Sequence, residues 1–168
     1  MKQIIAALAC MMMMSAALAE DLRPGGKVAF LGLGFVDLST EGAYNGVRED
    51  ETERLTMIKQ LVEQRFQKEG LILLDLSPIE SKLESIANPG QCYGCDIRFG
   101  RTLGADYVVV GAVHKVSNLI VSMNLFVRDV RTGETLRAKA VDIRSNTDRS
   151  WQRGMTYILK NGIFQELN

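Results

Sequence analysis

The stretch DYVVVGAVHKVSNLIVSMNLFVRDVRTGETLRAKAVDIRS, residues 106–145, decides the fold. Residues 106–116 form a nearly continuous apolar run, which is typical of a central strand that is buried on both faces. Residues 119–130 alternate between apolar and polar side chains, which indicates a half-buried antiparallel strand. A turn at 117–118 and a hairpin loop at 131–134 separate these segments. The sequence therefore predicts neighbouring strands that end in a hairpin.

The return strand of that hairpin, residues 135–145, changes its apolar parity along its length. Leu136, Ala138 and Ala140 share one parity, whereas Val141 and Ile143 share the other. Because side chains alternate strictly between the two faces of a strand, this change predicts a β-bulge.

Outside residues 106–145, strand-like and helix-like segments alternate. The predicted strands are 27–39 and 71–79, the predicted loop is 40–52, and the predicted helices are 51–70, 77–87 (with Ser77 as cap and Pro78 in first position), 96–105 and 147–162. The sequence predicts an α/β (α+β) fold, a small two-layer or sandwich domain with a mixed, largely antiparallel sheet and flanking helices. We expect residues 20–168 to form one such domain.

Residues 1–19 have the features of a secretory signal peptide. Lys2 precedes an apolar run at 4–14, and Ala17-Leu18-Ala19 gives the small-x-small cleavage pattern. The run is too short to span about 30 Å of hydrocarbon, so we expect a periplasmic product without a transmembrane anchor. Lipidation at Cys10 is the alternative, but few apolar residues precede it and cleavage there would leave a long apolar terminus.

Cleavage after Ala19 leaves Cys92 and Cys95 as the exported cysteines, and an even number in an oxidising compartment favours a disulfide. A redox-active pair is the alternative, because a helix N-terminus lowers a thiol pKa. Thioredoxin-like motifs, however, follow a first strand and open a long helix, and this pair does neither. Asp96 stands where haem attachment requires histidine, and zinc would need two more ligands although His114 is the only histidine.

Composition and the remaining motifs predict neither a cofactor nor catalytic residues. The 20 basic and 20 acidic residues balance, which gives no reason to expect nucleic acid as a partner. Gly32 and Gly34 follow a strand, but Asp37 stands where a dinucleotide fingerprint needs its third glycine. Acidic residues crowd the segment after the first strand, which indicates a solvated loop edge, or alternatively a cation or partner site; they are Asp37, Glu41, Glu49, Asp50 and Glu51.

Residues 103–136 resemble a recurring pattern of envelope proteins, in which a helix ending in Gly-Ala-Asp feeds a Tyr-Val-Val-x-Gly strand and a hairpin ends in Asp-Val-x-Thr-Gly-Glu. The pattern is similar to the amino-terminal domain of TolB, the curli-secretion lipoprotein and lipoprotein activators of peptidoglycan synthases. This resemblance implies a small α/β sandwich with a mixed sheet that acts by protein contact rather than catalysis.

A closer resemblance, over most of residues 28–164, is to an uncharacterised family of exported proteobacterial proteins. It has a Cys-x-x-Cys before LGAD, a KVSNLI hairpin and a DxRxNTDxSWxRG segment. The resemblance implies an association with periplasmic quinoprotein alcohol-oxidation systems. The candidate partner-binding residues lie in the last segment and are Asp142, Arg144, Asn146, Asp148, Trp151 and Arg153.

These observations together predict a non-enzymatic periplasmic accessory domain that binds a protein partner, associated with such an oxidation system or with envelope assembly. A thiol-disulfide redox protein that uses Cys92 and Cys95 is the first alternative. A small-ligand binder that uses the 40–52 loop is the second.

Overall fold

A computed structural model describes residues 22–165, so the predicted signal peptide and Cys10 lie outside the described residues. One five-stranded mixed sheet has the order β2-β1-β3-β4-β5. Its strands are β1 (Lys27–Asp37), β2 (Ile72–Leu73), β3 (Tyr107–Lys115), β4 (Ile120–Asp129) and β5 (Thr135–Arg144). The helices are α1 (Thr40–Asn45), α2 (Glu49–Lys68), α3 (Glu80–Glu84), α4 (Cys95–Leu103) and α5 (Asp148–Ile158), which a π-helical turn, Leu159–Ile163, continues.

Strand β3 lies at the centre of the sheet, as its apolar run predicts. It pairs with β1 in parallel and with β4 in antiparallel orientation. Val109 and Val113 belong to the core on one face of the sheet, and Val108 and Val110 belong to the core on the other. The predicted α+β fold class is confirmed, because helices flank a mixed sheet.

The helices divide between the two faces. On one face, α2 and α5 cover a core that contains Phe66 and Trp151, both fully buried. On the other face, α4 and the 3-10 turn Ser77–Ile79 cover a smaller core with Phe99. Along β5 this second face carries exposed side chains.

The structure corrects the predicted boundaries between β1 and α4. The predicted loop 40–52 contains α1 and the start of α2, because the Ser39 hydroxyl caps α1 by accepting from the Gly42 amide at 3.1 Å. The predicted strand 71–79 is only the two residues of β2. Ser77 donates its amide and its hydroxyl to Asp75, at 3.1 and 2.7 Å, which turns the chain into a 3-10 turn. Ser77 is therefore not the cap residue of a helix over 77–87.

The bulge in β5 lies nearer the hairpin than the sequence suggests. The register shifts between the pairs Val127–Arg137 and Arg128–Thr135, which leaves Leu136 as the extra residue. From there onward Lys139 lies half-buried on the α5 side and Ala138 is exposed. The position read from the apolar pattern was wrong because the aliphatic stem of a lysine covers core surface as an apolar side chain does.

Candidate functional site

Several connections of the fold meet at one end of the sheet. The Leu38 amide donates to the Lys115 carbonyl at 2.8 Å, so the end of β1 lies beside the end of β3. The Ser145 amide donates to the Leu119 carbonyl at 2.9 Å, which places the segment before α5 beside the β3–β4 turn. Helix α1 follows directly from Leu38. The chain therefore brings α1, the β3–β4 turn and the start of α5 together.

Beneath these connections lies a buried lysine. The Lys115 ammonium contacts Glu51 Oε1 at 2.7 Å, Glu41 Oε2 at 3.0 Å and Asp37 Oδ2 at 3.2 Å. The side chains of Lys115 and Glu51 are fully buried. Burial alone would lower the pKa of Lys115, but hydrogen bonds to Glu51, Glu41 and Asp37 outweigh it and raise the pKa. The ammonium is thus a permanent cation at neutral pH that joins β1, α1 and α2; we call this the lysine cluster.

Polar side chains extend the lysine cluster to α5. The Asn146 amide donates to Glu51 Oε1 at 2.6 Å, and the Trp151 indole donates to Asn146 Oδ1 at 2.8 Å. On the opposite side, Asp37 Oδ1 accepts from the Ser39 hydroxyl and amide at 2.5 and 2.8 Å. Burial raises the pKa of Asp37, but the hydrogen bonds from Ser39 and Lys115 lower it by more than burial raises it. The net shift of the pKa is therefore downward.

Further ion pairs lie outside the lysine cluster, nearer the surface. Arg48 contacts Glu41 at 3.1 Å and Asp50 at 2.9 Å. Arg54 contacts Asp50 at 2.8 Å and Asp148 at 2.7 Å. Hydrogen bonds from Arg48 and then Arg54 lower the pKa of Asp50 to about 2 against its partial burial. The pairs of Arg48 lie near the surface and stabilise the fold only modestly, whereas the Arg54 side chain is only 12% exposed.

The crowded acids of the sequence therefore do not form one solvated edge. Asp37, Glu41 and Glu51 converge on Lys115, Asp50 binds arginines, and Glu49 is exposed. Among the described residues, no group of three or more histidine, cysteine, aspartate or glutamate side chains is arranged to hold a metal ion.

Sequence reasoning missed Lys115 itself. The residue closes an apolar strand, and its carboxylate partner Glu41 lies 74 residues away in sequence. Parity was the available signal, because Lys115 shares its parity with Val109 and Val113, which face the larger core.

Exposed apolar side chains are concentrated on the connections above the lysine cluster. The described residues include nine large apolar side chains that are exposed, and six of them lie on the connections at this end of the sheet. Tyr44 is 85% exposed and Leu119 is 72% exposed. We call this surface the apolar end; its residues are Leu38, Tyr44, Val47, Val116, Leu119 and Ile120.

The six candidate partner-binding residues occupy different environments. Trp151 is fully buried, and Asn146 is half-buried and bonded to Glu51 and Trp151. The other four, Asp142, Arg144, Asp148 and Arg153, are exposed. Arg144 pairs with Ile120 of the apolar end, whereas Arg153 lies more than one turn into α5.

The two cysteines lie at the start of α4, at disulfide-bonding distance and with Cα atoms 5.4 Å apart. Cys95 is buried in the smaller core, and Cys92 packs partly against it. The intervening Tyr93 and Gly94 both have positive φ angles, of 52° and 85°. The pair therefore closes a tight turn on the face of the sheet opposite the lysine cluster.

These features define a class of protein: a small α+β domain in which a mixed sheet carries a buried ionic cluster under an exposed apolar end. Within that class, the chain belongs to the DUF3280 family, which is described as "Protein of unknown function (DUF2380)" and whose sequence model matches residues 26–163. A search of curated proteins found no match.

Solved structures with a similar fold include two bacterial proteins. One is the LpoB C-terminal domain from Salmonella enterica, with a TM-score of 0.52 and 15% identity over 74% of this chain and 86% of that domain. The other is the lipoprotein GNA1162 from Neisseria meningitidis, with a TM-score of 0.51 and 13% identity over 80% of this chain and 95% of that one. The predicted likeness to lipoprotein folds is thus confirmed for the fold alone. Within residues 22–165, no helix has both the length and the apolar character needed to cross a membrane.

Proposed function

We propose that this chain is a non-enzymatic accessory domain of the bacterial envelope that binds a protein partner through its apolar end. The observation that carries the proposal is the concentration of six of nine exposed large apolar side chains there. Exposed apolar patches on soluble domains mark interaction sites, and tyrosines are frequent anchors at the centre of such sites. Tyr44 is the anchor we assign.

The lysine cluster explains how the apolar end is held rigid. Helix α1 has six residues, and none of them is buried, so packing alone does not fix it. It is fixed by the Ser39 cap and by Glu41, which binds both Lys115 and Arg48. A preorganised surface loses less conformational entropy on binding. The buried charges therefore support a binding surface.

The state of Lys115 supports a non-enzymatic function. A lysine that acts as a nucleophile or base needs a lowered pKa and access to a substrate. Lys115 is fully buried, and its pKa is raised by three carboxylates.

The exposed residues Arg144 and Asp148 complete the proposed surface at its rim. The fold likeness to a lipoprotein is consistent with an envelope location, and a partner within a periplasmic quinoprotein alcohol-oxidation system is the finer form of the proposal.

Site-specific photocrosslinking in the source bacterium tests the proposal. A photoreactive amino acid replaces Tyr44 or Leu119, and matched controls carry it at Glu63 or Gln67, which are exposed on α2. We expect the first pair to give the same discrete adduct and the controls to give none. Adding Val47→Ser to the Leu119 probe should weaken that adduct. Equal adducts from the α2 controls, or none from either apolar-end position, would contradict the proposal.

Thiol-disulfide exchange is the second candidate function. It is favoured by one observation, the position of Cys95 at the first residue of α4, where the helix dipole stabilises a thiolate. Burial of Cys95 in the smaller core opposes it, since a reactive thiol must be reached by its substrate.

A further inference from the structure

The outer edge of β1 is largely unpaired. Strand β2 covers only its beginning, with the pairs Lys27–Ile72 and Val28–Leu73. The last ladder bond on this side runs from the Leu74 amide to the Val28 carbonyl, at 2.9 Å. Beyond Val28, no strand of the described residues pairs with this edge. An unpaired strand edge is a template for another extended chain.

A groove opens at that free edge. Its volume is about 370 Å³, and Leu31, Gly32 and Leu33 of β1 line it. The register of β1 against β3 shifts between Phe30 and Leu33, and Gly32 there has a φ of +95°. Lys59 of α2 forms one wall. The segment between β2 and α4 forms the other, with Leu76, Leu83, Ile86 and Pro89.

The rim of the groove carries charges that have no partner within the described residues. Glu80 and Glu84 stand one turn apart on α3, both exposed, and neither forms an ion pair in that part of the chain. Across the groove, burial lowers the pKa of Lys59, and the charge of Glu63 on the same helix only partly opposes this shift. Two carboxylates against one ammonium favour a ligand with a basic group near α3.

The opposite edge of the sheet contrasts with this one. Strand β5 carries charged side chains along its length, among them Arg137, Lys139 and Asp142. Natural proteins use such charges to prevent another strand from pairing at an edge. Residues 29–36 of β1 contain no charged side chain. The β1 edge therefore lacks the charged side chains that protect the β5 edge.

We propose that this groove binds an extended segment of a partner protein, which adds as a short strand beside β1. Main-chain hydrogen bonds to the β1 edge would hold the segment, and an apolar side chain would fill the space between α2 and α3. A basic residue of the segment would face Glu80 and Glu84. Three lining residues of β1, at about 3.3 Å each, give room for a contact of three to four residues. The surface is separate from the apolar end.

A synthetic octapeptide of alternating valine and lysine is a suitable probe, titrated into isotope-labelled protein by NMR. We expect shifts at the amides of Leu31, Gly32, Leu33 and Lys59, with slower hydrogen exchange in β1. The same peptide with N-methyl groups on alternate amides keeps its charge and apolar side chains but cannot complete a ladder. Its affinity should fall about tenfold, through the lost hydrogen bonds.

The rim is tested by charge reversal. A Glu80→Lys, Glu84→Lys double variant should bind the lysine peptide about tenfold more weakly and a glutamate–valine peptide more tightly. Both side chains are exposed, so an unchanged unfolding midpoint is the control for folding.

Equal binding of the N-methylated peptide would overturn the proposal, because it would indicate an apolar small-molecule site rather than strand addition. So would shifts confined to β5 or to the apolar end, or no binding at millimolar peptide. None of these outcomes bears on the adducts expected at Tyr44 and Leu119, so the two proposals fail separately.

Discussion

Lys115 illustrates the energetics of a single buried charge. Its ammonium is surrounded by Asp37, Glu41 and Glu51, and the Glu51 side chain is fully buried with it. A buried pair contributes little relative to apolar side chains of similar volume, but removal of one partner leaves an unpaired buried charge. We expect Lys115→Met to lower the free energy of unfolding by about 3–5 kcal/mol in urea denaturation.

Lys59→Met is the matched control, since Lys59 is only half-buried and its change should stay within about 0.5 kcal/mol. A Lys115→Met, Glu51→Leu double variant should recover part of the loss, because it removes the stranded carboxylate as well. A loss below about 1 kcal/mol for Lys115→Met alone would show that the cluster does not hold this end of the sheet.

Titration of the acids around Lys115 makes stability depend on pH. Asp37 and Glu41 have lowered pKa values in the folded chain, and that of Asp50 is lowered to about 2. In the unfolded chain these groups titrate near 4. Between about pH 5 and pH 2 the unfolded state therefore binds more protons, so the free energy of unfolding falls as pH falls.

Urea denaturation at a series of pH values measures that slope. Asp50→Asn should make it shallower, whereas Glu63→Gln, an exposed α2 residue, should not change it. Stability that stays flat from pH 5 to pH 2 would contradict the ionic network.

At the scale of one element, the cysteine pair fixes the turn that leads into α4. The pair encloses Tyr93 and Gly94, and both have positive φ angles. Such a small loop gains only about 2 kcal/mol from chain entropy. We predict that Cys92→Ser, Cys95→Ser lowers the free energy of unfolding by about 1–3 kcal/mol and leaves the Tyr44 adduct unchanged.

The same pair distinguishes a structural bond from a redox site. A structural disulfide has a reduction potential below about −300 mV, which a glutathione titration of the purified protein measures. We also expect no catalysis of insulin reduction. A potential above roughly −200 mV, together with turnover, would support the redox function instead.

The elements that sequence reasoning located best are those with a long, regular pattern. Strand β3 and the β4–β5 hairpin follow from apolar runs and alternation. Helix α1 was missed because six residues with no buried side chain carry no apolar period. The length of strand β2 was overestimated because apolar residues continue beyond the strand. There, Asp75 accepts a hydrogen bond from the Ser77 amide and the chain turns. A side-chain bond from Ser39 begins α1 and bonds from Ser77 to Asp75 follow the end of β2, and the apolar pattern of the sequence reports neither.

At the scale of the whole molecule, the lysine cluster and the surface around it could be predicted from the sequence only in part. The acids after β1 are close in sequence, so their clustering was visible, but the cation that they share, Lys115, lies 74 residues after Glu41 in the sequence. The segment 142–153 was predicted as a partner-binding site, and the structure places its Arg144 and Asn146 at this end of the sheet. Trp151, by contrast, does not lie on the surface, because its indole is inside the core and donates to Asn146. Contacts between distant segments decided these roles.

Trp151 also makes the predicted single domain testable. It is the only tryptophan of the chain, it is fully buried, and its ring lies 6.0 Å from that of Phe35 in β1. Through Asn146 it is bonded to Glu51 of α2. Its fluorescence therefore reports on contacts between α5, β1 and α2, whereas far-UV circular dichroism reports on all elements.

For one cooperative domain the two signals must follow the same transition. We expect coincident urea midpoints for Trp151 fluorescence and circular dichroism. The midpoints should coincide again in Leu119→Ser, because that side chain is largely exposed and its loss should change stability by no more than about 0.5 kcal/mol. If fluorescence changed at a lower urea concentration than circular dichroism, α5 and the lysine cluster would unfold before the sheet. The apolar end would then lack the rigid support that the proposed binding surface requires.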